Sequence, residues 1–544
     1  MMLLVISLLS LLILVQASPK HIVMIVADDL GRNDLGIRNA KEKGPRTVTP
    51  NIDALITQGI TLDAYHTFKI CGPSRASTLT GRYPWGAGFY DMNQDNDHTT
   101  TNFTLYPALL QAAGYRTHAL GKWDVGWMAR NATSTYRGFD DFYGYYLACN
   151  ADYWYHTVAG GAKTCAGSYN SSVQDWSDNV NTTLSPGDRI ARNGTYNQEL
   201  LTGRAENIIA SHDSTLPLYL YLAYQNVHEG CARDDALGMQ APLASVTDHY
   251  NTTVLDTYKL MGGMLTELDT GVGRVVAALK QAGLFESTLL VFVSDNGGPL
   301  EHSTNFPLRG GKHTFYDGGL KVEAFLAGGA IPPQVINTTW YGLAHASDWY
   351  LTLLEGYAGI TVNPSSTGGP RPLDSLNLWS SIMSNSVSPR NEIIHQVNNS
   401  YFDEGASALR IGDMKLVRGL IGDNRTLAWP EKVQHDVPWG LTGAVLEEGT
   451  DHLRSTVLGG QVIHHCTPYC LWNITSDPGE NFDLAEDPKF NALAAAMISR
   501  LDEAGRTGPP NAYIWDVNST AFHKAVQKTC LQGLAIGSIQ PVDY

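Results

Sequence analysis

The chain has 544 residues, 43% of them apolar and 17% charged, which excludes an intrinsically disordered protein and fits a globular one with a large core. Lys and Arg number 37 against 53 Asp and Glu, and the resulting formal charge of −16 argues against nucleic acid as a partner. An anionic small substrate stays open, because one pocket can be locally cationic in an acidic protein.

Residues 1–17, MMLLVISLLSLLILVQA, hold an apolar run from Leu3 to Val15 that is too short for a typical membrane span. The run ends in the small-residue pattern Val15-Gln16-Ala17, so a secretory signal peptide is expected, with no membrane span after it. Eleven Asn-x-Ser/Thr sequons point to a glycosylated surface, at Asn102, Asn131, Asn170, Asn181, Asn193, Asn251, Asn337, Asn398, Asn424, Asn473 and Asn518. There are seven cysteines, and setting Cys71 aside for chemistry leaves six, enough for three disulfides in an oxidising compartment. Their pairing is open among fifteen connectivities; Cys149 with Cys165 and Cys466 with Cys470 are the local choices. The expected address is the secretory pathway, ending in the lysosome or outside the cell.

From residue 18 onward, apolar strands alternate with helical patterns. His21–Ala27 is a continuous apolar run, as in a strand covered on both faces, and it ends in Asp28-Asp29. In open α/β sheets, ligands bind beyond such carboxyl ends. Residues 49–60 read as a helix capped by Thr49 with Pro50 first. Residues 71–81 read as a short helix with Cys71 at its start, Pro73 at a first helical position and Gly81 at its exit. Arg75 would lie on the Cys71 face and point a cation at the sulfur, where the free N–H groups and the dipole also favour an anion. A helix around Leu109–Ala113 leads to a strand that ends in Gly121-Lys122-Trp123-Asp124, and residues 150–195 read as loops over a site mouth. A helix over 197–211, a strand over Leu216–Ala223 ending in Asn226-Val227-His228-Glu229, and a helix over 254–282 follow. The strand Leu289–Val293 then ends in Ser294-Asp295-Asn296-Gly297-Gly298.

This alternation predicts an α/β fold with a doubly wound sheet over residues 18–390. Beyond Arg390 the pattern changes to short strands, Glu392–Val397, Ala408–Arg418 and Cys470–Ile474, then a helix over Pro488–Leu501. A smaller C-terminal α+β domain with an antiparallel sheet is therefore expected over 391–544. Asp28, Asp29, Asp295 and Asn296 offer four oxygen donors after two strands, a set that suits a hard cation better than zinc. In isolation the same residues would also serve as a helix cap and an ordinary turn.

The stretch Cys71-Gly72-Pro73-Ser74-Arg75, followed by Leu79-Thr80-Gly81-Arg82, resembles the signature of the sulfatase family at every fixed position. The resemblance runs from about residue 20 to about residue 500 and looks closest to the arylsulfatase B group, which acts on the 4-sulfate of N-acetylgalactosamine. It rests further on Arg137–Gly144, Tyr221–Gln225, Asn305–Gly310, and Leu471–Ile474 with Asp477-Pro478.

The resemblance implies an alkaline-phosphatase-like sheet and a Cys71 converted to formylglycine by a formylglycine-generating enzyme. The aldehyde hydrate then supplies the attacking oxygen. It also implies a divalent cation, Ca²⁺ or Mg²⁺, held by Asp28, Asp29, Asp295, Asn296 and the modified residue 71. Lys122 and Arg75 match groups that stabilise charge on the sulfate, Lys312 the lysine near the leaving oxygen, and His228 the histidine proposed to protonate it. The substrate expected is a sulfated carbohydrate or an aryl sulfate, with specificity loops within 150–195 and 230–250.

One position departs from the family: Gly-Lys-Trp-His becomes Gly-Lys-Trp-Asp124. Asp124 takes over as base, or His118 or His156 substitutes, or turnover is impaired and the chain binds glycans without cleaving them. A phosphoesterase of the alkaline-phosphatase type is the other competing class, and Cys71 within a full signature argues against it.

Overall fold

The computed structural model describes residues 19–42, 47–89, 99–127, 130–148, 152–156, 175–180, 194–230, 238–250, 256–369, 371–397, 406–423, 453–458 and 461–507. The expected signal peptide and the Cys149–Cys165 pair lie outside them. Nine strands form the large sheet in the order Thr338–Trp340, Ile60–Leu62, Ala324–Ala327, Thr288–Ser294, His21–Ala27, Leu218–Ala223, Arg116–Lys122, Asp141–Tyr145, Ser177–Val180. The five from Thr288–Ser294 to Asp141–Tyr145 run parallel, so their carboxyl ends share one edge of the sheet. Ala27 pairs with Ser294, Gly121 with Ala223 and Lys122 with Tyr145, and this register brings the segments following each strand together.

The apolar run of His21–Ala27 serves two cores. Ile22, Met24 and Val26 pack on one face with Ala76, Leu79, Tyr106, Leu110 and Trp349. Val23, Ile25 and Ala27 pack on the other with Ile52, Leu55, Leu201, Met264, Leu268 and Val272 from the helices Pro50–Thr57, Asn197–Ser211 and Asp256–Gln281. Burial on both faces is why this strand lacks alternation. The doubly wound expectation holds, and the helices fall within a few residues of their expected bounds. Ser177–Val180, inside the stretch expected to be loop, is instead an antiparallel edge strand paired with Asp141–Tyr145.

The second sheet is antiparallel throughout, in the order Glu392–Gln396, Ser407–Ile411, Met414–Asp423, Gln461–Asn473, Leu453–Leu458. The single strand expected over Ala408–Arg418 is a hairpin, because Gly412-Asp413 forms a two-residue turn with Gly412 at φ 54° and Ile411 paired with Met414. Ala494, Met497, Leu501 and Ala504 of the helix Asn491–Thr507 cover this sheet against Ile393, Leu409, Leu416 and Leu471. The Cys466–Cys470 disulfide is present within one strand. It closes over residues 467–469, which bulge from the ladder where Val417 pairs with Cys470 and Gly419 with Cys466. Of the sequon residues described, Asn102, Asn131 and Asn337 are exposed and Asn473 is half-buried, so all four can carry a glycan at the surface.

Candidate active site

The helix Cys71–Thr80 is polar in sequence yet buried along its whole length. Cys71 is its first residue and Pro73 its third, still within the turn whose N–H groups have no helical partner. Ser74 braces the start, accepting from Phe68 N at 3.0 Å and donating to Ile70 O at 2.9 Å. The exit needs Gly81, which sits at φ 69°, where a Cβ would lie 2.7 Å from the Tyr350 side chain. Gly121 is required for a comparable reason: a Cβ there would meet Ala223 O at 1.9 Å, so only glycine lets Lys122 leave its strand beside Ala223.

Asp28, Asp29, Asp295 and Asn296 come together, as expected, and all are buried. Asp28 Oδ2 accepts from Lys122 Nζ at 2.9 Å, and Asp28 Oδ1 lies 3.6 Å from both Cys71 Sγ and Arg75 Nη2. Asp29, at φ 59°, accepts from Lys312 Nζ at 2.7 Å and from Asn296 Nδ2 at 2.7 Å. Asp295 Oδ1 accepts from Asp29 N at 3.2 Å. Arg75 hydrogen-bonds a carboxylate rather than the sulfur: its Nε and Nη2 both donate to Asp295 Oδ2, at 3.0 and 2.7 Å, and Nη2 stays within 3.6 Å of the same Asp28 oxygen that lies beside Cys71. A buried carboxylate is the stronger partner for a guanidinium than a neutral thiol.

The charges bear on what the site would hold. Burial alone would raise Asp28 and Asp29, but Lys122, His228 and Arg75 hold Asp28 below the usual carboxylate range, and Lys312 with His228 does the same for Asp29. Asp295 is pushed up to about 7 by burial and by Asp28, against the pull of Arg75 and Lys122. Burial also raises the Cys71 thiol well above its ordinary value, more than Lys122 and Lys312 lower it. At neutral pH the unmodified residue is therefore a protonated thiol and a poor nucleophile. Buried within this group are four carboxylates, Asp28, Asp29, Asp124 and Asp295, against three permanent cations, Arg75, Lys122 and Lys312. One ligand atom each from Asp28, Asp29, Cys71 and His228 lies within 4.8 Å of the others. Asn296 Oδ1 is buried with no hydrogen-bond partner among the described residues. A carboxylate excess and an orphaned amide oxygen, with Asp28, Asp29, Asp295 and Asn296 all offering oxygen, fit a hard divalent cation.

His228 Nδ1 lies 2.6 Å from Glu229 O, so it carries the proton there and leaves Nε2 to accept from Lys312 Nζ at 2.9 Å. Asp124 is fully buried at φ 55°, with its Oδ2 3.6 Å from Lys122 Nζ. His118 is not brought to this group. It lies four residues upstream of Lys122 on the same strand, about 13 Å away, and its Nδ1 meets Asp141 Oδ2 at 2.7 Å. His156 packs against Trp176 with ring centroids 4.5 Å apart.

Tyr153 and His302 are among the residues near the site that were not singled out from the sequence. Tyr153 donates from its hydroxyl to Gln225 O at 2.9 Å and to His228 O at 2.7 Å, and so fixes the turn that carries His228. His302 is buried on the loop that encloses Lys312, and the charges of Asp29, His228 and Lys312 all act on it. Neither lies in a motif; Tyr153 carried only the weak signal of an aromatic-rich loop.

The chain matches the Sulfatase family over residues 20–360. It is 29% identical to mouse arylsulfatase J over 513 residues, covering 91% of this chain and 77% of that one. It is 26% identical to mouse N-acetylgalactosamine-6-sulfatase, covering 89% and 85%. The crystal structure of Ps i-CgsB in complex with k-i-k-neocarrahexaose superposes with a TM-score of 0.68 at 24% identity, over 95% of this chain and 99% of that one. With the signature helix, the paired carboxylates at the sheet edge and the match across most of the large sheet in agreement, the chain belongs to the sulfatase family, the hydrolases of sulfuric esters.

Proposed function

We propose that this protein removes sulfate from a sulfated carbohydrate, with N-acetylgalactosamine sulfate as the leading substrate class, using a formylglycine made from Cys71 and a divalent cation. The observation that carries this reading is the burial of Lys122 and Lys312 against Asp28 and Asp29 around the start of the Cys71 helix. Two lysines are desolvated here for the sake of an anion that enters between them. The name of the mouse relative that cleaves N-acetylgalactosamine 6-sulfate supports the sugar, while the sulfated position stays open between 4 and 6.

Asp28, Asp29, Asp295 and Asn296 would hold the cation, Ca²⁺ by its preference for flexible oxygen sites; when bound it polarises the sulfate oxygens as a Lewis acid. Residue 71, once converted to formylglycine, would carry the hydrate whose hydroxyl would supply the attacking oxygen. The protein's own side chains do the rest. Arg75 fixes the Asp295 carboxylate, and Lys122 and Lys312 orient the sulfate and neutralise charge that builds on its oxygens. Lys312 Nζ donates to His228 Nε2 at 2.9 Å, and this pair would supply the proton that a leaving alcohol oxygen needs. Asp124, held by Lys122, stands where the family's histidine takes the second proton, and it serves as the base there.

The test is release of inorganic sulfate from an aryl sulfate and from N-acetylgalactosamine 4- and 6-sulfates, with an aryl phosphate as control. The mass of the peptide containing residue 71, from native protein, is read alongside. Intact thiol together with no sulfate released refutes the reading. A second reading, glycan binding without turnover, is favoured by Asp124 alone and predicts sugar binding with no release.

A further inference from the structure

Tyr145 ends the strand Asp141–Tyr145 at the same sheet edge from which the carboxylates project. It is the register partner of Lys122 on the adjacent parallel strand, and Trp123 N donates to Tyr145 O at 3.0 Å. Register partners on neighbouring strands send their side chains to the same face of a sheet, so the Tyr145 ring and the Lys122 ammonium leave the edge side by side. Lys122 ends on Asp28. The Tyr145 ring is stacked on Trp176, with centroids 6.2 Å apart and planes 27° from parallel. The residue is 0% exposed, and its hydroxyl has no hydrogen-bond partner among the described residues. The charges of Asp28, Lys122, Arg75 and Asp124 all act on it.

The stacking would be served equally well by phenylalanine. A buried hydroxyl without a partner costs stability and calls for an explanation. Here it lies beside the lysine proposed to receive a sulfate ester, and an O–H is a donor that an anionic sulfate oxygen can use.

We infer that Tyr145 is a further substrate-binding residue of this centre, donating its hydroxyl to an oxygen of the bound sulfate group beside Lys122. The inference rests on the sulfate site proposed above and adds a neutral donor to its cations. It accounts for the missing partner: the hydrogen bond exists only when the anion is present. It also suits a site with Asp124 in place of histidine, since a neutral donor near that carboxylate adds no further negative charge.

The experiment is Tyr145→Phe in the full chain, purified with its divalent ion. Three quantities are read: the thermal midpoint, the Kd of inorganic sulfate by calorimetry, and kcat/KM on an aryl sulfate. Removing an unpaired buried hydroxyl should leave the midpoint unchanged or raise it. Sulfate affinity and kcat/KM should each fall about 10- to 100-fold, as for loss of one charge-assisted hydrogen bond. A midpoint that drops while both anion readouts stay within twofold of the parent overturns the inference and makes the hydroxyl structural. If the midpoint is unchanged and both anion readouts stay within twofold, it is overturned as well. Should the parent release no sulfate from any ester yet bind the ion, with binding weakened in Tyr145→Phe, the formylglycine mechanism falls and the Tyr145 contact stands.

Discussion

Replacing Lys415 by Met tests the electrostatic account of how the two sheets are joined. Lys415 Nζ lies 2.7 Å from Asp317 Oδ1 and 2.9 Å from Glu480 Oε1, with no group of the three more than 3% exposed. Glu480 Oε2 also accepts from Asp317 N at 2.6 Å. Removing the cation leaves two buried carboxylates, a change that typically costs about 3–5 kcal/mol. The cost must depend on pH. Burial raises Glu480 from its ordinary 4.5 to about 7 even with Lys415 present, which pulls it down, and the substitution raises it further. Asp317 is held well below its ordinary range, because Lys415, His66 and Arg410 together outweigh its burial.

In the variant Glu480 stays protonated in the folded state. Relative to the unfolded chain, that costs about 4 kcal/mol at pH 7.5 and under about 1 kcal/mol at pH 5.0, at ~1.36 kcal/mol for each pH unit above 4.5. The parent, with Glu480 at about 7, already carries about 3 kcal/mol of this at pH 7.5 and nearly all of it at pH 5.0, so the Glu480 share of the variant's deficit grows by about 1 kcal/mol between the two. A group with a raised folded pKa gives its full stability below the unfolded value and loses it as pH rises through the folded one, so the variant's deficit should grow from pH 5.0 to 7.5. Denaturant unfolding of parent and Lys415→Met at both pH values measures it. Equal deficits at the two pH values, or no deficit at pH 7.5, would refute the reasoning.

Other outcomes follow from the same geometry. Lys312→Met should lower kcat/KM on an aryl sulfate by about 100-fold or more, since it removes both the ion pair to Asp29 and the hydrogen bond donated to His228. Asp124→Asn should lower kcat by about 100-fold through loss of a base, with Asp124→His recovering most of it; unchanged kcat in Asp124→Asn denies Asp124 any proton-transfer role. Asp29→Asn, or chelation of the parent, should lower divalent-ion content by elemental analysis together with activity. Asp175, pushed up to about 6 by burial against the pull of the Tyr146 and Leu147 N–H groups, should make the parent less stable as pH rises from 4 to 6, a slope that Asp175→Asn removes.

The sequence made the candidate site legible where local pattern and chemistry coincide. An apolar strand running into Asp28-Asp29, and another into Asp295-Asn296, placed four oxygen donors at a sheet edge before any contact was known. Long-range choices were not legible. Arg75 reaches Asp295 across 220 positions in the chain, and no local pattern chooses that oxygen over the nearby sulfur. Tyr145 was missed because a tyrosine closing a buried strand looks like core; only its hydroxyl, without a partner among the described residues, distinguishes it. The Gly412-Asp413 turn is a readable hairpin signal inside the stretch expected as one strand. Ser177–Val180 gave little signal, since its buried polar residues pair with an edge rather than fill a core.

The clasp between the sheets also bears on how truncations of this protein should be interpreted. Lys415 grips Asp317, Ile421 O accepts from Phe315 N at 2.9 Å, and Glu480 O accepts from Arg309 Nη1 at 3.1 Å. All three hold the segment that presents Lys312 to Asp29. A chain cut before residue 400 would therefore lose turnover because Lys312 wanders, and its inactivity would say nothing about reactive groups in the deleted part.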